Sequence, residues 1–400
     1  MGYSNQFFQS FGLKDVKGDL NKFSKKTRVP VDRLKYYNDT NTLPSGYDLK
    51  NLIEITGVSE AELMLRMGHI DRKTMELISA KAEDILKSIS SVDEIARPEK
   101  CEHALAFETD FGKLYEGDCL SVLKDIDSDS IDMVFADPPF NLNKIYPSKI
   151  NDNLKEENYL IWCEAWIGEC VRVLKHGGSL FLWSLPIWNS KLSQYIDKRM
   201  TFKHWIAVDM KYNLPVQGRL YPSHYSLLYY VKGKKPATFH PDRLPMLTCP
   251  KCFGDLKDYG GYKDKMNPSG VNLTDVWYDI PPVRHAKYKR RKNANELSIK
   301  LIDRVIELAT NEGDTVLDPF GGSGTTYVIA EIKRRRWIGS EIGPVNEIVD
   351  RFKRIDEERN FIKDARSDLN ALFSKKVKKQ REKRNLWTCE SIRNKKNIRS

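Results

Sequence analysis

The first hundred residues carry apolar side chains at helical spacing. The predicted helices are residues 20–27, 31–37, 48–55, 59–67 and 71–95. Ser59 and Glu62 form a capping-box pattern at the start of the fourth segment. A linker then begins at Arg97-Pro98. The spacing therefore predicts a separate helical unit over residues 1–97.

Beyond residue 110, short apolar runs alternate with helical patterns. The predicted strands are residues 112–116, 131–135, 179–183, 205–209, 226–231, 315–318 and 336–341. The predicted helices are residues 156–174, 293–310 and 344–373. The segment Lys175–Gly178 is expected to end the first of these helices, so His176 is interpreted as a helix-end residue rather than a ligand. The alternation predicts an α/β fold.

Residues 232–292 lack this periodicity, and Pro, Gly, Tyr, Lys and Arg dominate them. Loops longer than about 15 residues without structure of their own are uncommon in compact domains. We therefore interpret this segment as an inserted recognition region.

The composition is that of an ordinary globular chain of two or three domains. Of 400 residues, 40% are hydrophobic and 10% aromatic, and no apolar run approaches the ~18 residues of a membrane span. The N-terminus lacks the basic and apolar regions of a secretory signal. Seven scattered cysteines favour a reduced chain over a disulfide framework. We expect a cytoplasmic protein with no membrane partner.

The net charge of +11 favours a polyanionic partner. Most of the excess lies at the C-terminus, where residues 375–400 contain eleven Lys and Arg against two Glu, a net charge of +9. This tail is either a frayed, solvated terminus or an arm that binds phosphates without sequence preference.

An acid, two prolines and an aromatic ring follow the predicted strand at residues 131–135. In open α/β sheets, ligands bind at the carboxyl ends of the strands. Pro138 and Pro139 cannot continue a ladder or start a helix freely, so they predict a rigid loop with the Pro138 carbonyl unpaired. With Asp137 and Phe140, the loop offers two acceptors and a flat ring, which can hold a planar base by its exocyclic amine. The alternative is a proline turn beside a chance acid.

A glycine-rich loop follows the predicted strand at residues 315–318. Glycines at 321, 322 and 324 allow the backbone to approach a ligand closely. No lysine follows in the phosphate-loop pattern, and the spacing is not the dinucleotide fingerprint. Glu341 ends the next predicted strand, where a carboxylate can bind ribose hydroxyls; the alternative is a surface strand end.

Together, Asp137-Pro138-Pro139-Phe140 and the segment Asp318–Gly324 resemble the catalytic and cofactor motifs of the DNA amino-methyltransferases, which use S-adenosylmethionine. The motif order resembles the beta group of that family, and the resemblance covers about residues 112–365. It implies a Rossmann-like methyltransferase fold with permuted motif order. The implied parts are a catalytic half at 110–231, a target-recognition region at 232–292, a cofactor-binding half at 293–372 and a basic tail at 373–400.

The resemblance implies a set of cofactor-binding residues. They are Asp118, Asp137, Asn295, Ser298, Asp318, Phe320, Gly321, Gly322, Ser323, Gly324, Thr325 and Glu341. Asp118 could instead cap a helix. The family carries a Lys-Pro pair just before the cofactor loop, and here Leu297-Ser298 stands in its place.

The resemblance implies that Asp137, Pro138, Pro139 and Phe140 act on a base flipped out of the duplex. Asp137 and the Pro138 carbonyl would each accept a hydrogen bond from its amine, while Phe140 stacks on it. In the family an acid at this position usually accompanies N6 of adenine and a serine usually accompanies N4 of cytosine, so adenine is favoured. A 5-cytosine enzyme is not expected, because the chain has no Pro-Cys pair.

Two regions are expected to contact double-stranded DNA. The N-terminal unit resembles the helix-turn-helix domain of phage-repressor type, which would place Arg33, Lys35 and Tyr36 in the major groove. The recognition region mixes aromatic and cationic residues suited to phosphates and bases. Its candidates are Tyr262, Lys263, Arg284, Lys287, Lys289, Arg290 and Arg291.

Cys249 and Cys252 have the spacing of half a zinc site. A second cysteine pair is missing within normal reach, and His240 and His285 are the other candidate ligands. Two free thiols in a turn are the alternative, so no metal is expected beyond this weak candidate.

These features favour a site-specific DNA adenine methyltransferase from a bacterial restriction-modification system. The resemblance allows a homodimer, and it makes the cognate restriction endonuclease a genetic rather than a physical partner. One alternative is a DNA-binding regulator with an inactive methyltransferase fold. Another is an amine methyltransferase for RNA or protein, although related protein-glutamine enzymes carry Asn in place of Asp137.

Overall fold

The computed structural model describes residues 6–13, 17–41, 43–44, 46–70, 75, 78–89, 103–142, 153–210, 215, 217–218, 220–261, 267–281 and 296–391. The chain divides into two compact units, Met1–Glu99 and Lys100–Ser400. None of the described helices has the length and apolar character needed to cross a membrane.

The described part of the first unit is helical. Its elements are α1 (Gln6–Ser10), α2 (Lys17–Thr27), α3 (Val31–Thr40), α4 (Gly46–Thr56), α5 (Glu60–Arg66) and α6 (Ala82–Ile89). The apolar stripes meet in one core that includes Leu20, Leu34 and Leu52. The Ser59 hydroxyl accepts a hydrogen bond from the Glu62 N–H at 3.2 Å, so α5 begins where the capping pattern predicts.

The second unit is built on a nine-stranded sheet with the order β1-β2-β11-β10-β3-β4-β6-β5-β9. Its strands are β1 (Ala104–Glu108), β2 (Gly112–Glu116), β3 (Ile131–Ala136), β4 (Leu174–Ser184), β5 (Thr201–Asp209), β6 (His224–Val231), β9 (Val276–Trp277), β10 (Thr315–Asp318) and β11 (Arg336–Glu341). The five strands from β2 to β4 in this order are parallel, whereas β1 and β6 run antiparallel to their neighbours. The predicted α/β fold is thus confirmed.

Helices connect and flank these strands. They are α7 (Cys119–Lys124), α8 (Glu156–Val173), α9 (Pro186–Asp197), α10 (Ile299–Ala309), α11 (Thr325–Ile332), α12 (Asn346–Phe352) and α13 (Ile355–Arg366). The central strands are apolar almost throughout, and Met133, Val134 and Phe135 of β3 are fully buried. Such continuous burial is expected of a parallel sheet whose two faces are covered by helices.

The end of α8 differs from the prediction. Strand β4 begins at Leu174, so residues 175–178 belong to a strand and do not end a helix. Neighbouring segments hold these residues in the sheet. Leu174 pairs with Ile131, and the Lys232 N–H donates a hydrogen bond to the Gly178 carbonyl at 3.0 Å. The interpretation of His176 as a helix-end residue was therefore wrong.

The recognition region and the tail form one small structure. Strands β7 (Arg243–Leu244) and β8 (Val271–Asn272) pair with each other, and helix α14 (Lys375–Lys383) follows later in the chain. Met246 and Leu256 are buried together with Leu372 and Phe373. The alternative of a frayed tail therefore does not hold for residues 374–391, and residues 392–400 lie outside the described part.

Candidate active site

The two sequence motifs lie at the same edge of the sheet. Strands β3 and β10 are parallel neighbours, with Met133 opposite Val316 and Val134 opposite Leu317. Asp137 follows the last residue of β3, and Asp318 is the last residue of β10. Because adjacent strands lie about 4.8 Å apart, the two loops begin side by side at the carboxyl edge where ligands bind in such sheets.

The Asp-Pro-Pro-Phe loop is held from the protein side. The Tyr159 hydroxyl donates to the Pro139 carbonyl at 2.6 Å, and the Trp188 indole N–H donates to the Phe140 carbonyl at 2.7 Å. Among the described residues, the Pro138 carbonyl accepts no hydrogen bond. It is the acceptor of this loop that remains for an incoming donor, next to the half-buried Asp137.

Phe140 is buried, with 8% of its surface exposed, and its ring packs against Tyr225 with the centroids 6.2 Å apart. The ring therefore anchors the loop in the core. Stacking of Phe140 on a base stays a prediction.

The glycine loop is tied to the end of β11. The Gly321 N–H donates to the Ser340 carbonyl at 2.8 Å, and the Gly322 N–H donates to Glu341 Oε2 at 2.6 Å. A Cβ at Gly321 would lie 2.9 Å from the Tyr327 hydroxyl. A side chain would be crowded at this contact, so glycine lets the loop backbone pack closely between α11 and the end of β11.

Asp318 is buried and organises the loop from below. Its Oδ1 accepts the Phe320 N–H at 3.0 Å, and its Oδ2 accepts the Thr326 hydroxyl at 2.5 Å. Burial raises the pKa of this carboxyl to about 7, although both hydrogen bonds act in the opposite direction. The carboxylate thus shapes the loop, and direct contact with a cofactor stays a prediction.

Arg351 of α12 braces the same loop and was missed by the sequence analysis. The guanidinium is fully buried and pairs with both oxygens of Glu358 at 2.6 and 2.9 Å. It also donates to the Ser323 carbonyl at 3.0 Å and to the Thr325 hydroxyl at 2.7 Å. Ser323 and Thr325, both predicted to bind cofactor, are themselves buried against this arginine. No local pattern distinguishes Arg351 from a solvated charge on a polar helix.

Aromatic rings of α8 connect the two loops. Phe320 of the glycine loop packs edge-on against Trp166 and Trp162, with centroids 5.0 and 5.8 Å apart. Trp162 packs in turn against Tyr159 at 5.9 Å. Since Tyr159 binds the Pro139 carbonyl, one helix sets the position of both loops.

The residues at this edge fit an adenosyl cofactor. The two oxygens of Glu341 each accept one backbone N–H, from Gly322 at 2.6 Å and Gly343 at 2.8 Å. Each carboxylate oxygen has a second lone pair, which can accept a ribose hydroxyl. Burial raises the pKa of Glu341. A cationic ligand bound nearby would act in the opposite direction and favour the charged carboxylate.

Two other predicted cofactor residues are placed by the structure. Asp118 caps α7, where its Oδ1 accepts the Leu120 N–H at 2.9 Å, as the alternative interpretation held. Ser298 is buried immediately before α10. A cofactor contact of either residue stays a prediction, and Asn295 lies outside the described residues.

Three of the predicted DNA contacts are placed. Arg33 pairs with the buried Asp48 at 3.0 Å, while Lys35 and Tyr36 are exposed on the same helix. The others lie outside the described residues: Tyr262, Lys263, Arg284, Lys287, Lys289, Arg290 and Arg291.

The cysteine pair gains a third donor in the structure. One ligand atom each of Cys249, Cys252 and Asp255 lies within 4.8 Å of the other two. Among the described residues, His240 is not part of this group, and its Nε2 is hydrogen-bonded to Asn311 at 2.9 Å. His285 lies outside the described residues.

Comparisons with known proteins identify a family and several relatives of this chain. A family model described as DNA methylase matches residues 131–354, more than half of the chain. The chain is 46% identical over 372 residues to the type II methyltransferase M.BamHI of Bacillus amyloliquefaciens, covering 92% of this chain and 88% of that protein. It is 31% identical over 236 residues to the DNA adenine methyltransferase YhdJ of Escherichia coli (strain K12), covering 57% of this chain and 78% of that protein. One similar solved structure is the PvuII DNA methyltransferase (cytosine-N4-specific), with a TM-score of 0.47 and 19% identity over 64% of this chain and 94% of that chain.

Proposed function

Because this chain belongs to the DNA methylase family, we propose that it methylates the exocyclic amino nitrogen of a base in duplex DNA, and that the base is adenine. One observation carries the proposal. The Asp-Pro-Pro-Phe loop and the glycine loop leave adjacent strands at the same edge, with a Pro138 carbonyl beside Asp137 that accepts no hydrogen bond from any described residue. A donor of two hydrogen bonds and a methyl donor can therefore meet there.

S-adenosylmethionine, the cofactor of the family, supplies an electrophilic methyl group when bound. The difficulty lies with the nucleophile, because the lone pair of an aromatic amine is delocalised into its ring. Asp137 and the Pro138 carbonyl each accept one N–H of the amine, which holds the nitrogen toward tetrahedral geometry. Such positioning supplies several kcal/mol of the barrier. Asp137 can also accept the proton that the nitrogen loses after methyl transfer.

The target amine is inaccessible inside a duplex, so the base must leave the stack to reach the loop. The net charge of +11 provides attraction to the phosphates. The exposed Lys35 and Tyr36 on α3, together with Arg33, support a DNA contact by the first unit as well.

The choice of adenine rests on the acid at position 137 and on the similarity to the DNA adenine methyltransferase YhdJ. The amine of cytosine also carries two N–H donors, so the same two acceptors could hold it. The base must therefore be identified in the product.

The similarity to the type II methyltransferase M.BamHI supports a role in a type II restriction-modification system. That similarity covers 92% of the chain, whereas the family model covers residues 131–354 alone. The similarity to M.BamHI therefore includes most of both compact units of the chain.

Transfer of a tritiated methyl group from S-adenosylmethionine to unmethylated plasmid DNA, followed by nucleoside analysis, tests the proposal. Asp137→Ala is compared with wild type, and Asp356→Ala, at an exposed carboxylate on α13, serves as the matched control. We expect N6-methyladenine from wild type and from the control, and none from Asp137→Ala.

Each other outcome corrects a different part of the proposal. N4-methylcytosine would keep the mechanism and overturn the choice of base. Binding of the cofactor without transfer to DNA would point to an RNA or protein substrate. Absence of cofactor binding would leave a DNA-binding regulator.

A further inference from the structure

The recognition region contains a turn in which three metal-ligand side chains converge. Cys249 Sγ, Cys252 Sγ and a carboxylate oxygen of Asp255 all lie within 4.8 Å of one another, and the Cys252 sulfur is 3.5 Å from Asp255 Oδ2. In a zinc tetrahedron with bonds of about 2.3 Å to sulfur and 2.1 Å to oxygen, the donors are about 3.6 to 3.8 Å apart. The side chains are thus already close to the separation that the ion requires.

The backbone of this turn is closed independently of the side chains. Thr248 and Leu256 form a β-bridge, and the Cys249 N–H donates to the Asp255 carbonyl at 2.9 Å. Phe253 within the turn has φ +56°, an uncommon conformation for a bulky residue. Strain of this kind persists only where the surroundings hold the backbone in place.

The structure around the turn has a small core. The C-terminal module comprises residues 243–257 and 369–391, and its buried apolar side chains are those of Met246, Leu256, Leu372 and Phe373. A core of this size contributes little stability, and small modules commonly add a metal or a disulfide. The three donors lie in the first of these segments, so an ion there would hold the turn closed beside this small core.

The C-terminal module also contains a buried positive charge, the guanidinium of Arg381. This guanidinium is fully buried and donates to the carbonyls of Phe253 and Trp387 at 2.5 and 2.9 Å, yet its Nη2 is buried without a hydrogen-bond partner. Among the described residues, no carboxylate forms an ion pair with it. Phe253, whose carbonyl it contacts, directly follows Cys252 in the turn. A buried cation without a counter-charge is costly, so an anionic group is expected beside it.

We propose that Cys249, Cys252 and Asp255 bind a zinc ion that holds this turn of the C-terminal module closed. Two thiolates and a carboxylate around Zn²⁺ carry a net charge of −1, opposite in sign to Arg381. Thiolate ligands select zinc over magnesium or calcium. A water molecule or a further ligand completes the tetrahedron. Cys389 belongs to the same module, but it is not among the mutually close donors of the described residues and instead approaches the Pro268 carbonyl at 3.8 Å.

The test uses the full-length protein, purified without chelators, and measures metal content by mass spectrometry. We expect about one zinc ion per chain in wild type and in the matched control Cys389→Ser. Zinc should fall to background in Cys249→Ser and Cys252→Ser. Asp255→Asn should weaken binding at least about tenfold, the loss that even outer-shell changes cause.

A spectroscopic measurement separates loss of the site from loss of the fold. Wild type and Cys389→Ser loaded with Co²⁺ should show a thiolate-to-cobalt charge-transfer band, which Cys249→Ser and Cys252→Ser should lack while their far-ultraviolet circular dichroism is unchanged. Wild type without zinc and without this band would overturn the proposal, as would a disulfide between Cys249 and Cys252. Loss of zinc from Cys389→Ser would overturn the three-donor assignment.

Discussion

Tyr159 is expected to control catalysis without touching the substrate. Its hydroxyl donates to the Pro139 carbonyl at 2.6 Å, next to the residues proposed to hold the amine. Tyr159→Phe removes this hydrogen bond and keeps the ring that packs against Trp162. The perturbation therefore acts on the position of the loop and leaves the aromatic contact in place.

The size of the effect follows from the hydrogen bond. Leaving a buried or half-buried carbonyl without its donor costs about 1–3 kcal/mol. If this energy is lost from the transition state, methyl transfer slows roughly 5- to 150-fold, since about 1.4 kcal/mol corresponds to a factor of ten. Binding of S-adenosylmethionine should change little, because Tyr159 reaches the glycine loop only through neighbouring rings.

Single-turnover transfer of a tritiated methyl group measures this step directly, and cofactor binding is followed by calorimetry. Tyr230→Phe is the matched control, because the Tyr230 hydroxyl donates to Asp197 at 2.8 Å and is equally buried. Tyr230 pairs with Leu180 of β4, whereas Ser184 at the carboxyl end of β4 pairs with Ser226. Tyr230 therefore lies away from the sheet edge that carries the two loops. Both variants should lose stability, and only Tyr159→Phe should lose rate. A wild-type rate in Tyr159→Phe, or the same loss of rate in both variants, would refute the positioning role.

Three further predictions concern the glycine loop. Gly324 has φ +73°, and a Cβ there would lie 2.7 Å from a side chain of α12. Gly324→Ala should therefore raise the dissociation constant of S-adenosylmethionine, measured by calorimetry, at least about fivefold. The control Gly313→Ala, at φ +87° in open space, should leave this constant unchanged. Arg351→Met strands the buried Glu358 carboxylate and should lower the free energy of unfolding by about 3–5 kcal/mol in denaturant titrations. Adding Glu358→Leu should recover part of this loss, and no recovery would contradict the pairing. The pKa of Asp318 is raised by burial to about 7 from an ordinary 3.8, so the folded state retains this proton to higher pH than the unfolded chain does. Ionisation of Asp318 should therefore lower the free energy of unfolding by up to about 4 kcal/mol as the pH rises from about 4 to about 7. Asp318→Asn should show a smaller decrease over this range, and the same decrease in both proteins would refute the prediction.

Local patterns were sufficient for the parallel core of the fold. Strands such as β3 and β10 are short apolar runs, and each is followed by residues that break regular structure. A strand that is buried on both faces must be apolar whichever strands lie beside it, so each such strand can be recognised from its own segment of sequence. The acid, prolines and glycines of the two loops were equally visible, since their chemistry depends on residue type and spacing.

Contacts between distant segments could not be predicted in the same way. Leu174 starts a strand because Ile131 lies beside it, although the local pattern favoured the end of a helix. The basic tail folds back because Arg381 finds carbonyl acceptors at Phe253 and Gly254. In both places, hydrogen bonds to remote backbone outweigh the local preference, and no window of sequence contains them.

Residue types and their spacing establish which chemical groups this protein presents: an acid with a proline-fixed carbonyl, a glycine loop and a carboxylate at a strand end. The three-dimensional fold places β3 beside β10 and sets Tyr159 and Arg351 against the two loops. The physical reason is that residue type specifies what a side chain can donate or accept. Which partner it meets depends on how the sheet is ordered and which helices cover it.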